Sequence, residues 1–313
     1  MIRACSFLPA ATQMIYDLGL QDQLHGVTFE CSVEARKAKP VAVRYLLEGK
    51  QYSSAEIDRI FSTSKAQGKS LYYIDQEVLQ AASPDVIFTQ DICEVCQIDV
   101  SCAAAAVAML ATSPALVSIT PQSLNDVFNT LITIGQALGA EAVAYRHLAQ
   151  LRSQLDTIVD QLRTHRATPR RVMLLEWMDP IYNCGHWIPD QIAYAGGTDL
   201  LAHPGGDSIV TSWDKIVRYD PEVLVIAPCG FTIKRSLEEM WCMTQQPGWS
   251  TMKAVRDQKV FIAEYDLFTQ SSAANLVDGI ELLAALFHPA IFSVPTHLQD
   301  KCQPLPQPSF TAK

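Results

Sequence analysis

One unit of sequence occurs twice, and it dictates an α/β architecture. Residues 83–93 read Ser-Pro-Asp-Val-Ile-Phe-Thr-Gln-Asp-Ile-Cys, and residues 220–229 read Asp-Pro-Glu-Val-Leu-Val-Ile-Ala-Pro-Cys. Each passes through a proline and an acid into a short apolar or β-branched run, then into a polar turn with a cysteine. A short apolar run bounded by turn residues marks a strand buried on both faces. In open parallel sheets, ligands bind at the loops that leave such strands. The flanking segments are duplicated too. Residues 2–7 lead to Pro9, Thr12 and the helical spacing Met14, Ile15, Leu18, closed by Gly19; residues 172–175 lead to Pro189, Ile192 and Ala193, closed by Gly196 and Gly197. Glycine just past a helical pattern is a C-cap signal. The expected fold class is therefore α/β, with two Rossmann-like lobes built on central, mostly parallel sheets.

The longest helical pattern lies between the duplicated units. Ser123 and Asp126 have the form of a hydroxyl cap with an acid three residues on. Apolar residues recur at Leu124, Val127, Leu131, Ile134 and Leu138, then after Gly139 at Val143, Leu148, Leu151, Leu155, Ile158, Val159 and Leu162. At about 1.5 Å per residue, roughly 40 residues of helix would traverse two lobes. One long bridging helix is the reading adopted, and two antiparallel helices broken at Gly139 are the alternative. The expected organisation is an N-terminal lobe over 1–120, a bridging helix over 121–167, a C-terminal lobe over 168–290 and an irregular tail over 291–313, with a ligand cleft between the lobes. A chain of 313 residues also favours two lobes over one core.

Charge excludes some partners. The net charge of −9 disfavours nucleic acid and anionic membrane, which are polyanions. The chain has no run of about 18 apolar residues, so no membrane insertion is expected. The start, Met1-Ile2-Arg3-Ala4-Cys5-Ser6-Phe7-Leu8-Pro9, lacks the charged, apolar and small-residue regions of a secretory leader. The expectation is a cytoplasmic protein, periplasmic only if a leader was removed. Nine cysteines, an odd number in a chain too large to need stapling, point to reduced thiols.

Candidate ligand-binding residues are those at predicted strand ends. In the first lobe they are Glu30, Arg44, Tyr73 (beside Tyr72) and Asp91. Arg44 would grip an anionic group with its fork, or form an ion pair with Glu30 or Asp91. In the second lobe, Glu176, Trp177, His186 and Trp187 share one continuous loop, joined by Trp213, Phe231 and Phe268. The tryptophans offer flat faces for a planar or macrocyclic ligand. His186 could coordinate a metal centre, although a lone histidine is more often structural. Cys93 and Cys96 form a CxxC, either a redox pair or half a zinc site. With Cys184, His186 and Cys229 they would make a soft-metal set if the lobes bring them together. The competing reading is small buried thiols. There is no Gly-x-Ser-x-Gly elbow, phosphate-binding Gly-x-x-x-x-Gly-Lys loop or His-Glu-x-x-His helix.

These stretches resemble the helical-backbone (class III) substrate-binding proteins, especially the cobalamin- and iron-siderophore-binding family of ABC importers. The resemblance is carried by residues 3–20, by 25–44 with Gly-Val-Thr-Phe-Glu-Cys and Pro-Val-Ala-Val-Arg, and by 70–96. It continues through 175–201, 212–231 and 254–279, so that it spans about 2–290. It implies two lobes facing each other across a cleft, a stiff hinge, and two exposed acids that engage importer arginines. One departure stands out: relatives often carry an Arg-Pro-Gly-Pro-Arg-like segment where this chain has Gln270-Ser271-Ser272-Ala273-Ala274-Asn275. The loss of both arginines implies a different ligand or a different mode of binding.

The function expected is non-catalytic capture of a corrinoid or another large metal-bearing or planar small molecule, as carrier, sensor or ABC-transport-type binding protein. Cobalamin or another metallo-ligand would be bound, and importer subunits would be partners. Two alternatives are a cytoplasmic metal-binding protein holding zinc or iron in a Cys/His cluster, and a cysteine-dependent enzyme on the same scaffold.

Overall fold

Buried strand runs and capped amphipathic helices alternate along the chain. The computed structural model describes residues 1–90 and 100–306, in two units: residues 1–153 with 270–274, and residues 154–269 with those from 275 onward.

The first unit contains strands β1 (Ala4–Ser6), β2 (Leu24–Thr28), β3 (Val41–Tyr45), β4 (Tyr72–Ile74), β5 (Val86–Thr89) and β6 (Ala115–Ser118). Their order in the sheet is β4-β3-β2-β1-β5-β6. All pairings are parallel except β3 with β4. The helices of this unit are α1 (Pro9–Asp17), α2 (Val33–Ala38), α3 (Ser54–Ala66), α4 (Gln76–Ala82), α5 (Val100–Val107), α6 (Leu124–Ala137) and the first part of α7 (Glu141–Thr164). Every side chain of β1 and β5 is buried, as the apolar runs require. Pro9 occupies the first turn of α1, where a missing N–H costs nothing. Asp75 caps α4, and Ser53 with Glu56 forms a capping box on α3. The core gathers Cys5, Phe7, Ala42, Val43, Leu79 and Ile87.

The helix expected over 121–167 is two helices, of which the second, α7, is the long helix that runs from the first unit into the second. The Ser123–Asp126 capping box starts α6, which stops at Ala137. Gly139 adopts φ 70°, a left-handed conformation that glycine takes up without strain at the end of a helix. α7 then folds back on α6: Arg152 lies 5.9 Å from the Phe128 ring, and Gln136 Nε2 donates to Glu141 at 2.7 Å. Both helices bury one face, so the 3.6-residue pattern continues across the turn. The two-unit boundary falls inside α7, between Ser153 and Gln154. At the hairpin, a Cβ on Gly135 would sit 2.5 Å from the Ala144 Cβ. Neither methyl has a side-chain torsion to relieve this. Gly135→Ala is therefore expected to lower stability by about 1–3 kcal/mol in urea denaturation; an unchanged midpoint would refute close packing here.

The second unit contains β7 (Arg170–Met178), β8 (Ile181–Asn183), β9 (Gly185–His186), β10 (Gly197–Thr198), β11 (His203–Pro204), β12 (Ile209–Val210), β13 (Val223–Ile226), β14 (Val260–Ala263) and β15 (Cys302–Pro304). Its helices are the end of α7, α8 (Ile188–Tyr194), α9 (Trp213–Tyr219), α10 (Ile233–Glu239), α11 (Trp241–Thr244), α12 (Lys253–Arg256) and most of α13 (Ala273–Phe287). The sheet order is β12-β8-β7-β13-β14-β15, with β10 on β7. β7, β13 and β14 are parallel, and β8, β12 and β15 are antiparallel additions. The core is rich in sulfur: Met173, Met240, Met243 and Met252 pack with Leu175, Leu224, Ile226, Ile262 and Trp249. Residues 296–304, expected to be irregular, form a 3-10 turn (Thr296–Lys301) and the edge strand β15. Three residues carrying a proline leave no alternation to read. Among the described residues, no helix is long and apolar enough to cross a membrane.

Candidate functional site

Ligand-facing chemistry in such sheets collects where the parallel strands end. In the first unit that edge carries a stack of aromatic rings. Phe29 follows β2, Tyr45 ends β3, and Tyr72 begins the antiparallel β4, so register brings all three to one place. Phe29 and Tyr45 stack at 5.2 Å, Tyr45 and Tyr72 at 5.2 Å, and Phe61 of α3 lies 6.1 Å from Tyr45. Phe29, Tyr45 and Phe61 were not among the sequence candidates; two of them directly adjoin Glu30 and Arg44, which were.

Arg44 and Tyr73 are cross-strand partners on β3 and β4. Tyr73 is 48% exposed. Arg44 reaches Glu48, four residues along its own segment in the turn after β3, at 3.4 Å, rather than Glu30. Glu30 is half-buried at the end of β2. Cys31, beside it, donates to the Thr12 hydroxyl at 3.1 Å, and burial pushes its thiol up to about 11. Asp91, Cys93 and Cys96 lie outside the described residues.

In the second unit, two groups of candidates form at the ends of β7, β13 and β14. Trp177 near the end of β7 and Phe231 after β13 meet at 5.1 Å, with the Arg235 guanidinium 4.8 Å over the Phe231 ring. Arg235 is itself paired with Glu239 and, at 3.6 Å, with Glu238. The Trp177 indole donates to the Asp179 carbonyl at 3.2 Å. Glu176 is half-buried, and its backbone carbonyl accepts from Cys229 N at 3.0 Å, joining the ends of β7 and β13.

The other group is Trp187 and Phe268, both buried. The Trp187 indole donates to the Phe268 carbonyl at 2.6 Å. Gln191, one turn along α8, donates at 2.9 Å to the carbonyls of both Leu267 and Leu276. These two side chains fix the segment that follows β14. His186 sits beside Trp187, ring to ring at 5.4 Å, with its backbone at φ 50°. Its N–H donates to the Gly206 carbonyl, and its own carbonyl accepts from Gly205 N. Its Nε2 faces Asp207 at 3.4 Å. Burial lowers the His186 pKa, and the Asp207 carboxylate works in the opposite direction. Trp213 points elsewhere: it stacks on Trp249 at 6.0 Å and donates to the Pro247 carbonyl at 2.7 Å.

Cys184 is fully buried, 4.0 Å from Asp199 Oδ2, and burial holds its thiol well above the usual range. Burial likewise raises the thiols of Cys5 to about 12, Cys242 to about 11 and Cys302 to about 12. The thiolate is the nucleophile and the metal ligand, so these cysteines are held in their unreactive form at neutral pH.

Two α/β units, each with a mostly parallel central sheet, fit the class III substrate-binding fold. The chain belongs to the periplasmic binding protein family, whose sequence profile matches residues 7–267. It is 24% identical over 294 residues to the uncharacterized ABC transporter substrate-binding lipoprotein YvrC of Bacillus subtilis (strain 168), covering 92% of this chain and 80% of that protein. In structure it is similar to a periplasmic heme-binding protein from Pseudomonas aeruginosa, with TM-score 0.71, 18% identity, and 97% and 98% of the two chains covered. It is also similar to the periplasmic vitamin B12-binding protein BtuF of Vibrio cholerae, with TM-score 0.64, 15% identity, and 92% and 97% covered. These relatives overturn the expectation of a cytoplasmic location, since they are periplasmic proteins and a lipoprotein.

Proposed function

We propose that the protein captures a large planar or metal-bearing small molecule, of the heme or corrinoid class, and hands it to an ABC importer in the compartment its relatives occupy. Capture without catalysis accords with the family and with Cys5, Cys31, Cys184, Cys242 and Cys302 held as thiols. The observation that carries the ligand class is the gathering of aromatic rings at the strand ends of each unit taken by itself: Phe29, Tyr45 and Phe61, partly exposed around the buried Tyr72, in the first, and the half-buried Trp177 against the buried Phe231, with Arg235 over that ring, in the second. Flat rings bury flat ligands with good van der Waals contact, and a cation over a ring adds a point of attraction for an anionic edge. Arg44, beside Tyr45, and Arg235, over the Phe231 ring, are arginines placed among these rings, and each is paired with glutamate.

The test is titration with hemin and, separately, with cyanocobalamin, followed by tryptophan fluorescence and the visible band of the ligand. Saturable quenching by one of them at micromolar concentration is expected. Trp177→Ala should weaken that binding roughly tenfold, a loss of about 1.4 kcal/mol. No quenching by either ligand at high micromolar concentration would overturn the ligand class.

A further inference from the structure

The face where α13 meets the 3-10 turn Thr296–Lys301 is short of positive charge. α13 carries Asp278 and Glu281, three residues apart and so on one side of the helix. The 3-10 turn brings His297 to them, with Nε2 3.2 Å from Asp278 Oδ1. One ligand atom from each of the three lies within 4.8 Å of the other two. Asp266 adds a third carboxylate whose charge acts on Asp278. The facing ammonium is Lys301, which binds Asp266 Oδ2 at 2.8 Å. Among the described residues, three carboxylates thus share one lysine and one imidazole. The other oxygen of Asp266, Oδ1, is buried with no hydrogen-bond partner. Burial raises the pKa of both Asp278 and Glu281, and the Asp278 charge raises that of Glu281 further.

Asp278 and Glu281 stand side by side as like charges, and the His297 imidazole faces both of them. We propose that Asp278, Glu281 and His297 form a binding site for one divalent transition-metal ion of the zinc class. The imidazole nitrogen selects for zinc-like ions over calcium or magnesium, which prefer all-oxygen sites. Three protein ligands leave a fourth position for water. Bonds of about 2.0–2.2 Å need the three donors closer together than they now stand. Glu281 is half-buried and His297 exposed, so both have room to close. The ion would fasten the 3-10 turn, and with it β15, to α13. The site shares no residue with the aromatic surfaces, so its failure would leave the capture reading untouched.

The test uses the full chain, stripped with chelator and kept reduced, titrated with zinc chloride by calorimetry. One zinc per chain is expected, with a rise in Tm. Glu281→Gln and His297→Ala should each weaken binding at least tenfold and abolish the Tm rise, while Cys93→Ser combined with Cys96→Ser changes neither. Asp278→Asn replaces either variant if it fails to fold. No uptake at about 100 μM zinc, uptake that survives either ligand substitution, or loss in the double cysteine variant would overturn the proposal.

Discussion

Replacing Trp187 by alanine is expected to destabilise the protein by about 3–5 kcal/mol, a large share of the 5–15 kcal/mol typical of a folded domain. Trp187 is 9% exposed, and its ring is enclosed at the start of α8. Truncation removes the transfer energy of a large aromatic side chain and leaves a cavity. It also strips the donor from the Phe268 carbonyl. Trp187→Phe keeps an aromatic ring in place while losing the N–H and part of the indole volume, so it should cost about 1–3 kcal/mol. Gln191 still holds Leu267 and Leu276, which confines the damage to the turn around Phe268. Urea denaturation followed by far-UV circular dichroism measures both variants. A Trp187→Ala cost below about 1 kcal/mol would mean that the indole is not the anchor of the segment after β14.

The repeated strand units were legible because buried parallel strands have a composition that exposed segments cannot imitate. Residues 86–89 and 223–226 are all buried, as the apolar runs require. Ser123 was legible as a cap because a hydroxyl with an acid three residues on satisfies two amides at once. The break at Gly139 was less so. Periodicity reports which face is buried, and it is silent on whether the axis continues when both helices of a hairpin bury a face. The glycine itself was the better signal. β15 was illegible because its pairing is supplied by β14, not by its own three residues. At the candidate site, strand-end position located the right segments, but it could not assign contacts. Trp177 and Phe231 come together, whereas Trp213 turns to Trp249, because long-range packing decides which way a ring points. Asp278 and Glu281 were visible only as an i, i+3 spacing, which many solvated helices share.

Asp199 should make the protein less stable as pH rises from about 4 to about 6. It lies just after β10 in a tight polar knot. Its Oδ1 accepts from Leu201 N at 2.9 Å and from Asn183 Nδ2 at 3.4 Å, and its Oδ2 faces Cys184 Sγ. Burial outweighs these donors and pushes its carboxyl up from 3.8 to about 6. In the unfolded chain the same carboxyl titrates near 4. Between those values the folded state holds the extra proton, so raising the pH withdraws stability. The full penalty, present above about pH 6, is at most about 3 kcal/mol. Asp278 and Glu281, whose pKa values are also raised, add to the same slope. Asp199→Asn separates the contributions, because an amide does not titrate and keeps an acceptor at the Oδ1 position. The substitution turns the second oxygen into a donor, in a place where backbone groups of Leu174 and Ala202 also favour the charged form. A constant loss of about 1–2 kcal/mol at pH 4 is therefore expected. The decisive quantity is the difference between variant and parent across the pH range. It should move in favour of the variant by about 2 kcal/mol between pH 4 and 7. Urea unfolding at several pH values measures it, and parallel stability curves would show that Asp199 titrates as it does in the unfolded chain.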